Sequence, residues 1–293
     1  MEKPRALIVG AGGFLGGYLV QAATDRFEVV RGERIPSELG GVRIDITDAS
    51  SVGRAFEIAR PDIVLLLAAI SDIDRCEAQP EKAFAVNVQG VELVANVCAR
   101  VNARLLFTST AAVFDGRKHG YREEDGTNPL SVYGATKVRA EAVVRALVPA
   151  AVVIRFSLLL GFAKKAGTNS MLDGLYANWE AGKAVALSTS ECRNPIHADS
   201  VSQIMIRLVA DDRVHGVFHA GACDSISRYE IAMRLAARAG FPDHLVQPQT
   251  TPVAGRAPRG EDQFLLTEKL QKLCRMEVPT CDQVIERCFD GAA

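Results

Sequence analysis

Three things are missing from this sequence, and each absence removes a class of function. Neither sign of charge is in excess: 34 lysines and arginines stand against 35 acids, for a formal net charge of −1. That balance argues against a nucleic-acid partner and against an anionic membrane surface. Long hydrophobic runs are absent too. The apolar stretch DIVLLLAAI (62–70) falls far short of the ~20 residues that a membrane-spanning helix needs. The opening MEKPRALIVGAGG lacks the charged-then-apolar pattern of a cleavable leader, so a cytoplasmic protein with no membrane association is expected. The third absence is paired cysteine. Cys76, Cys98, Cys192, Cys223, Cys274, Cys281 and Cys288 are odd in number, scattered, and never spaced CxxC. This excludes a disulfide framework and a zinc site, and no metal is expected. They read as small hydrophobes, with Cys281 and Cys288 on one face of a terminal helix.

What is present is a core. The chain has 293 residues, 48% hydrophobic and 24% charged, which suits about two domains, or one α/β core with an elaborated lobe. ALIVG (6–10), FEVV (27–30), DIVLLLAA (62–69), RLLFTST (104–110) and AVVIRFS (151–157) read as strands, several apolar on both faces as a buried parallel sheet requires. Segments with helical spacing separate them: FLGGYLVQAAT, EKAFAVNVQGVELVANVCARV and YGATKVRAEAVVRALV. The fold class is therefore α/β, a Rossmann-like doubly wound parallel sheet. Residues 1–160 form the doubly wound domain in this reading. Residues 161–293 form mainly a smaller substrate-binding lobe over the carboxyl edge of the sheet, with some later segments returning to the first domain. TPVAGRAPRGED (251–262) reads as a loop.

Directly after the first strand comes GAGGFLG, with Gly10, Gly13 and Gly16 in GxxGxxG spacing. Glycines there permit a tight turn and let backbone amides approach a pyrophosphate at the positive end of the next helix. Placed between a strand and a helix, this is a dinucleotide site; a turn needed only for packing is the alternative. An acid at the end of the second strand suits the ribose of NAD, whereas arginine suits the extra phosphate of NADP. In VVRGERIP, Arg31 and Arg34 flank Glu33. NADP(H) is favoured over NAD(H), although Glu33 occupies a position where an acid would serve NAD. Asp45 in RIDITD sits where a carboxylate meets the adenine amino group, or else starts the turn into the next helix.

VYGATK places Tyr133 and Lys137 at i and i+4 on the amino-terminal part of a helix, on one side. A tyrosine near its free pKa of about 10 is a usable acid and a poor base. A neighbouring ammonium is expected to lower that pKa and to bind ribose hydroxyls. About one strand-end away, TSTAAVF (108–114) puts Ser109 and Thr110 at the carboxyl end of a central strand, where doubly wound sheets bind ligands. One of these hydroxyls would hydrogen-bond a substrate carbonyl beside the tyrosine while hydride arrives from the nicotinamide. Strand alternation allows only one of the two this role.

The glycine turn, LAAISDIDRCEAQPEKAFAVNVQG, TSTAAVFDG, YREEDGTNPLSVYGATK and RNPIHADSV occur in that order. Together they resemble an extended short-chain dehydrogenase/reductase, closest to the dTDP-4-dehydrorhamnose reductase family and similar also to the regulatory β subunit of methionine adenosyltransferase. The resemblance implies an NAD(P)-dependent oxidoreductase in which Thr110 binds the carbonyl, Tyr133 is the general acid, and Lys137 is its charge partner and ribose ligand. Gly10, Gly13, Phe14 and Leu15 would line the pyrophosphate, Asp45 and Ile46 the adenine, and Ala68 and Ala69 the cofactor ribose. Asn87 matches the superfamily's helix asparagine and reads here as a buried amide bonded to backbone. One departure stands out: Ala111 and Ala112 replace the Asp-Tyr pair of the reductases, as in the epimerases and dehydratases of the superfamily.

The implied substrate is a nucleotide-linked deoxysugar. Arg193 falls where related enzymes place an arginine on the substrate's phosphates, and Arg256 and Arg259 would reach them from a loop; each also reads as an ordinary surface arginine. His197, without ligand partners nearby, reads as structural. Three functions compete: a reductase of a keto sugar, a redox-neutral epimerase or dehydratase, and a nucleotide-binding regulatory subunit. The two long amphipathic helices would also serve a four-helix homodimer interface.

Overall fold

The computed structural model describes residues 3–36, 40–251 and 253–290; residues 1–2 of the opening segment and residue 252 of the expected loop lie outside the described residues. The first half runs β1 (Arg5–Val9), α1 (Phe14–Ala23), β2 (Glu28–Glu33), β3 (Val42–Arg43), α2 (Ala49–Ala59), β4 (Ile63–Leu66), α3 (Ile73–Ala78), α4 (Pro80–Phe84), α5 (Val91–Val101), β5 (Arg104–Thr110), α6 (Val132–Leu147) and β6 (Val152–Phe156). The second half continues with β7 (Leu158–Leu160), α7 (Met171–Glu180), β8 (Val185–Ser188), β9 (Cys192–Arg193), β10 (Pro195–His197), α8 (Ala198–Ala210), β11 (Gly216–Ala220), β12 (Ile226–Ser227), α9 (Arg228–Ala239), β13 (Val246–Gln249), β14 (Asp262–Gln263), α10 (Glu268–Cys274) and α11 (Cys281–Arg287).

Among the described residues, seven strands form one parallel sheet in the order β11-β6-β5-β4-β1-β2-β3. The strand order reverses beside β1, which opens a crevice between the turns after β1 and β4. Strand β4 stops three residues earlier than the apolar run suggests. The amides of Leu67 and Ala68 both turn onto the Val9 carbonyl, at 2.9 and 3.1 Å, and this draws the following loop across the glycine turn. Segment 216–221, read with the second half, supplies β11 at the edge of the main sheet, where Phe218 pairs with Ile154.

Alternate residues of each central strand feed two different cores. Ala6, Ile8, Ile63, Leu65 and Leu106 pack with residues of α1 and α8, whereas Leu7, Val9, Val64, Leu66, Leu105 and Phe107 pack with residues of α2, α5 and α6. Double-sided burial explains why these strands read as continuous apolar runs. A third core, built on Leu172, Leu175 and Trp179 of α7 with Ile231 and Leu235 of α9 and Val284 and Ile285 of α11, forms the lobe. Cys281 and Cys288 are both buried there, and all seven cysteines are free thiols. Among the described residues no helix is long and apolar enough to cross a membrane. The long helix expected over 81–101 is interrupted by a π-type turn, Ala85–Gly90. A Cβ at Gly90 would stand 2.8 Å from Ile46 Cγ1, so this turn sits tight against the segment that follows β3.

Candidate active site

Gly10 adopts φ +99, and a Cβ there would meet Ala68 N at 2.9 Å. Only glycine lets the two crossing loops touch. At Gly16 a Cβ would lie 2.3 Å from the Gly10 carbonyl oxygen, so α1 can begin directly against the turn. Gly13 caps α1 without any side-chain acceptor, which leaves the first amides of a ten-residue helix, those of Phe14 and Leu15 among them, suited to an anion. Glu33 ends β2 beneath the turn: a Cβ on Gly12 would be 3.4 Å from its Cδ. Arg31 Nη2 covers Glu33 Oε1 at 2.6 Å, while Arg34 is exposed. Asp45 Oδ1 accepts from both the amide and the hydroxyl of Thr47, at 3.0 and 2.7 Å. Those bonds hold its carboxyl below the usual range. Ile46 is buried, and Ala68 and Ala69 are half-buried.

Two groups deeper in the crevice also fit a dinucleotide. Ser157 Oγ, just past the end of β6, is buried with no hydrogen-bond partner. It lies one residue beyond Phe156, which pairs with Thr110, where a nicotinamide carboxamide would satisfy it. The second group is Lys137. Its side chain is 2% exposed, and its Nζ lies 4.0 Å from the centroid of the Phe107 ring. Among the described residues no ion pair or hydrogen bond to this ammonium is found.

Local chemistry brings the candidate catalytic side chains together. Ser131 caps α6 by accepting from Gly134 N at 3.2 Å, and a Cβ at Gly134 would stand 2.2 Å from the Ala112 carbonyl oxygen. Glycine at this position therefore allows the start of α6 to press on the turn that follows β5. That contact sets Tyr133, at the start of α6, beside the strand end that carries Thr110. Thr110 caps the short turn Ala111–Val113, its Oγ1 accepting from Ala112 N at 3.1 Å. Asn87 is the buried backbone-bonded amide that was expected. Its side chain accepts from Ile70 N at 2.8 Å and donates to Ile70 O at 3.0 Å and to Thr136 Oγ1 at 3.2 Å, tying the loop after β4 to α6.

The electrostatics correct one expectation. Tyr133 is not drawn down by Lys137; burial pushes its pKa up to about 12, against a hydrogen bond from Thr110 that pulls the other way. Burial also pulls Lys137 down to about 7, with Glu141 opposing. A pKa of about 12 leaves the Tyr133 hydroxyl protonated at neutral pH. Cys76 stands close enough to both to affect their titration, but burial pushes its thiol up to about 11. It is neutral lining.

Sequence reasoning missed the layer behind this group. Ser109 turns away from Thr110's partner and donates to Glu141 Oε1 at 2.5 Å, and Arg155 donates to both oxygens of Glu141, Nε at 2.8 Å and Nη2 at 2.6 Å. All three side chains are almost fully buried. A Glu one helical turn past Lys137 was the available signal.

The arginines of the second half divide. Arg193, expected on substrate phosphates, is buried and spends Nη1 on the carbonyls of Cys192 and Glu261, at 2.7 and 3.0 Å, and Nη2 on the carbonyl of Gly260, at 3.1 Å. It clamps the loop because β14 runs beside β9, with Gln263 opposite Arg193. Arg259 is likewise held, by both oxygens of Asp74. Arg256 touches Glu191 only at 3.4 Å, and Arg228, which the sequence did not single out, meets the same carboxylate at 3.4 Å. With Arg193 Nη2 also 3.4 Å from Glu191 Oε2, three arginines around one glutamate leave a local positive excess. His197 caps α8, and burial lowers its pKa to about 4, in keeping with a structural residue. Among the described residues no cluster of ligating side chains suits a metal.

A dinucleotide cradle at the switch point, with a hydroxyl, a tyrosine and a buried lysine beside it, defines an NAD(P)-dependent oxidoreductase of the extended short-chain dehydrogenase/reductase type. The chain belongs to the family described as RmlD substrate binding domain, which matches residues 4–293. It is 32% identical over 267 residues to dTDP-4-dehydrorhamnose reductase of Mycobacterium tuberculosis, covering 88% of this chain and 83% of that one. Methionine adenosyltransferase 2 subunit beta of Xenopus laevis is 28% identical over 274 residues, 92% of this chain and 82% of that one. Among solved structures, dTDP-4-dehydrorhamnose reductase of Bacillus anthracis in complex with NADP superposes with a TM-score of 0.89 at 25% identity, covering 98% of this chain and 99% of that chain.

Proposed function

We propose that this chain is a cytoplasmic NAD(P)H-dependent reductase of a keto group on a nucleotide-linked deoxysugar, acting as a dTDP-4-dehydrorhamnose reductase does. The observation that carries the proposal is the placement of Tyr133 beside Thr110, one helical turn from the buried Lys137 on the same face of α6. When bound, the nicotinamide supplies hydride to the carbonyl carbon. Thr110 hydrogen-bonds the carbonyl oxygen and orients it, and Tyr133 gives its proton to that oxygen as negative charge develops. Lys137 binds the nicotinamide ribose and steadies the phenolate left behind, which solvent then reprotonates. The phosphates of the substrate fall to Arg256 and Arg228, with Arg193 and Arg259 holding the segment that carries Arg256.

NADP(H) is the preferred cofactor in this reading. Arg31 offsets the charge of Glu33, and Arg34 remains available for the extra phosphate; the Bacillus anthracis relative is a complex with NADP. A second reading, redox-neutral epimerisation or dehydration, is favoured by Ala111 and Ala112, and a regulatory role by the adenosyltransferase β-subunit relative. NADPH and NADH oxidation by purified protein, given a dTDP-4-keto-6-deoxysugar with the matching epimerase, separates them: net oxidation supports the reductase, and cofactor binding without oxidation rejects it.

A further inference from the structure

Behind the reacting face, three strands and one helix meet in a single buried network. Ser109, Arg155 and His219 lie directly opposite one another across β5, β6 and β11, and Glu141 comes down onto this row from α6. Arg155 Nη1 donates to His219 Nε2 at 3.3 Å, and His219 Nδ1 in turn donates to the Tyr121 carbonyl at 3.1 Å. That arrangement fixes a neutral histidine tautomer, in line with burial and the Arg155 charge lowering its pKa to about 3. The Arg155 guanidinium also stacks over Phe114, 5.2 Å from the ring centroid. Every strong donor facing the Glu141 carboxylate is thereby fixed in place.

Tyr133, Lys137 and Glu141 follow one another at four-residue steps along α6 and share one face. Ser109 directly precedes Thr110 in β5. The geometry points to Glu141 as a positioning residue: gripped by Arg155 and Ser109, it fixes the helix bearing Tyr133 and Lys137 against the strand bearing Thr110. A buried ion pair is weak evidence for stability as such, because desolvation offsets much of its attraction. Its bidentate geometry gives direction instead, and groups that must share one substrate oxygen tolerate only about 0.5 Å of displacement. The charges that face Lys137 are Glu141 from α6 and the neutral Cys76 thiol from α3. Since Arg155 already balances Glu141, the pair can orient α6 without claiming the lysine for itself.

This role in turnover rests on the reductase reading. Two variants test it: Glu141→Gln, which keeps the shape and removes the charge, and Ser109→Ala, which removes one hydroxyl and leaves the ion pair intact should Glu141→Gln fail to fold. The expected result is a fall in kcat of about ten-fold or more for Glu141→Gln, and several-fold for Ser109→Ala, since small misplacements are costly to rate. KM for the keto sugar and NADPH affinity should stay within about three-fold of wild type, a split that simple destabilisation does not give. Wild-type kcat in a folded variant overturns the assignment. If the wild-type protein turns over no keto sugar, the reductase reading fails and crystals of Ser109→Ala decide the positioning claim separately. A shift of α6 against β5 of about 0.5 Å or more supports it, and superposable elements overturn it.

Discussion

Arg259 grips both carboxylate oxygens of Asp74, Nη1 on Oδ1 at 3.1 Å and Nη2 on Oδ2 at 2.8 Å, and Asp74 Oδ1 also accepts from Ala257 N at 2.9 Å. This joins α3, next to the reacting group, to a loop 185 residues further along. Ile73, Ala112, Ser131, Pro258 and Arg259 line the small cleft beneath. The loop is a strap over the cleft, on the side where the proposed function puts the substrate.

Half of the Asp74 side chain is exposed, so the pair contributes no more than about 1 kcal/mol. Asp74→Asn should therefore raise KM for the sugar nucleotide by up to about five-fold with kcat nearly unchanged, and speed proteolysis within 253–261. The Arg259 hydrogen bonds chiefly hold Asp74 below the usual carboxylate range. A carboxylate with a lowered folded pKa adds stability above its unfolded pKa and loses it as pH falls through the folded value. Loop proteolysis should accordingly stay constant through neutral pH and rise only in acid.

Lys137 carries the opposite sign. Burial sets its folded pKa at about 7, well below the ~10.4 of an unfolded lysine, so the folded chain binds fewer protons between those values. Stability then rises with pH across that window and is lowest below it. Lys137→Met removes the cost, and its melting temperature should exceed that of wild type by a few degrees at pH 6, in the ~2–4 °C per kcal/mol range for chains of comparable size. The gain should shrink towards pH 10. A gain independent of pH would contradict the assignment of Lys137 as a buried cation without an acid of its own.

Arg228 and Arg256 share Glu191 at 3.4 Å each. If they hold the substrate's phosphates, Arg228→Ala and Arg256→Ala should each raise KM about ten-fold, the loss of one charge-assisted contact, and leave kcat and NADPH affinity unchanged. Isothermal titration with dTDP alone reads the same loss without turnover.

The proposed preference for NADP(H) rests on the exposed Arg34. Arg34→Ala should weaken NADPH binding several-fold and leave NADH binding unchanged, as measured by quenching of nicotinamide fluorescence. Equal effects on the two cofactors would remove Arg34 from the site.

Much of this was legible because it is local. The glycine turn and the Tyr-Lys spacing each lie within a few consecutive residues, and burial on both faces wrote the strands into the sequence as apolar runs. The missed features are non-local. Glu141 looks like any helix acid until β5, β6 and β11 come into register and place Ser109, Arg155 and His219 in one row. Arg193 has the right chemistry for phosphate, but backbone carbonyls at 260–261 compete for the same donors and capture it. The expected lowering of the Tyr133 pKa failed for a related reason: spacing reports which groups are neighbours, whereas burial, which dominates here, depends on the whole fold.

The most direct test of the central claim is NADPH oxidation by wild type and by Tyr133→Phe, supplied with a dTDP-4-keto-6-deoxysugar and its epimerase, with NADPH affinity measured for both. Net oxidation by wild type, reduced roughly 10²–10⁴-fold in the variant while NADPH still binds, is the predicted result. Turnover that survives in Tyr133→Phe, or wild type that binds NADPH and oxidises none, would contradict it.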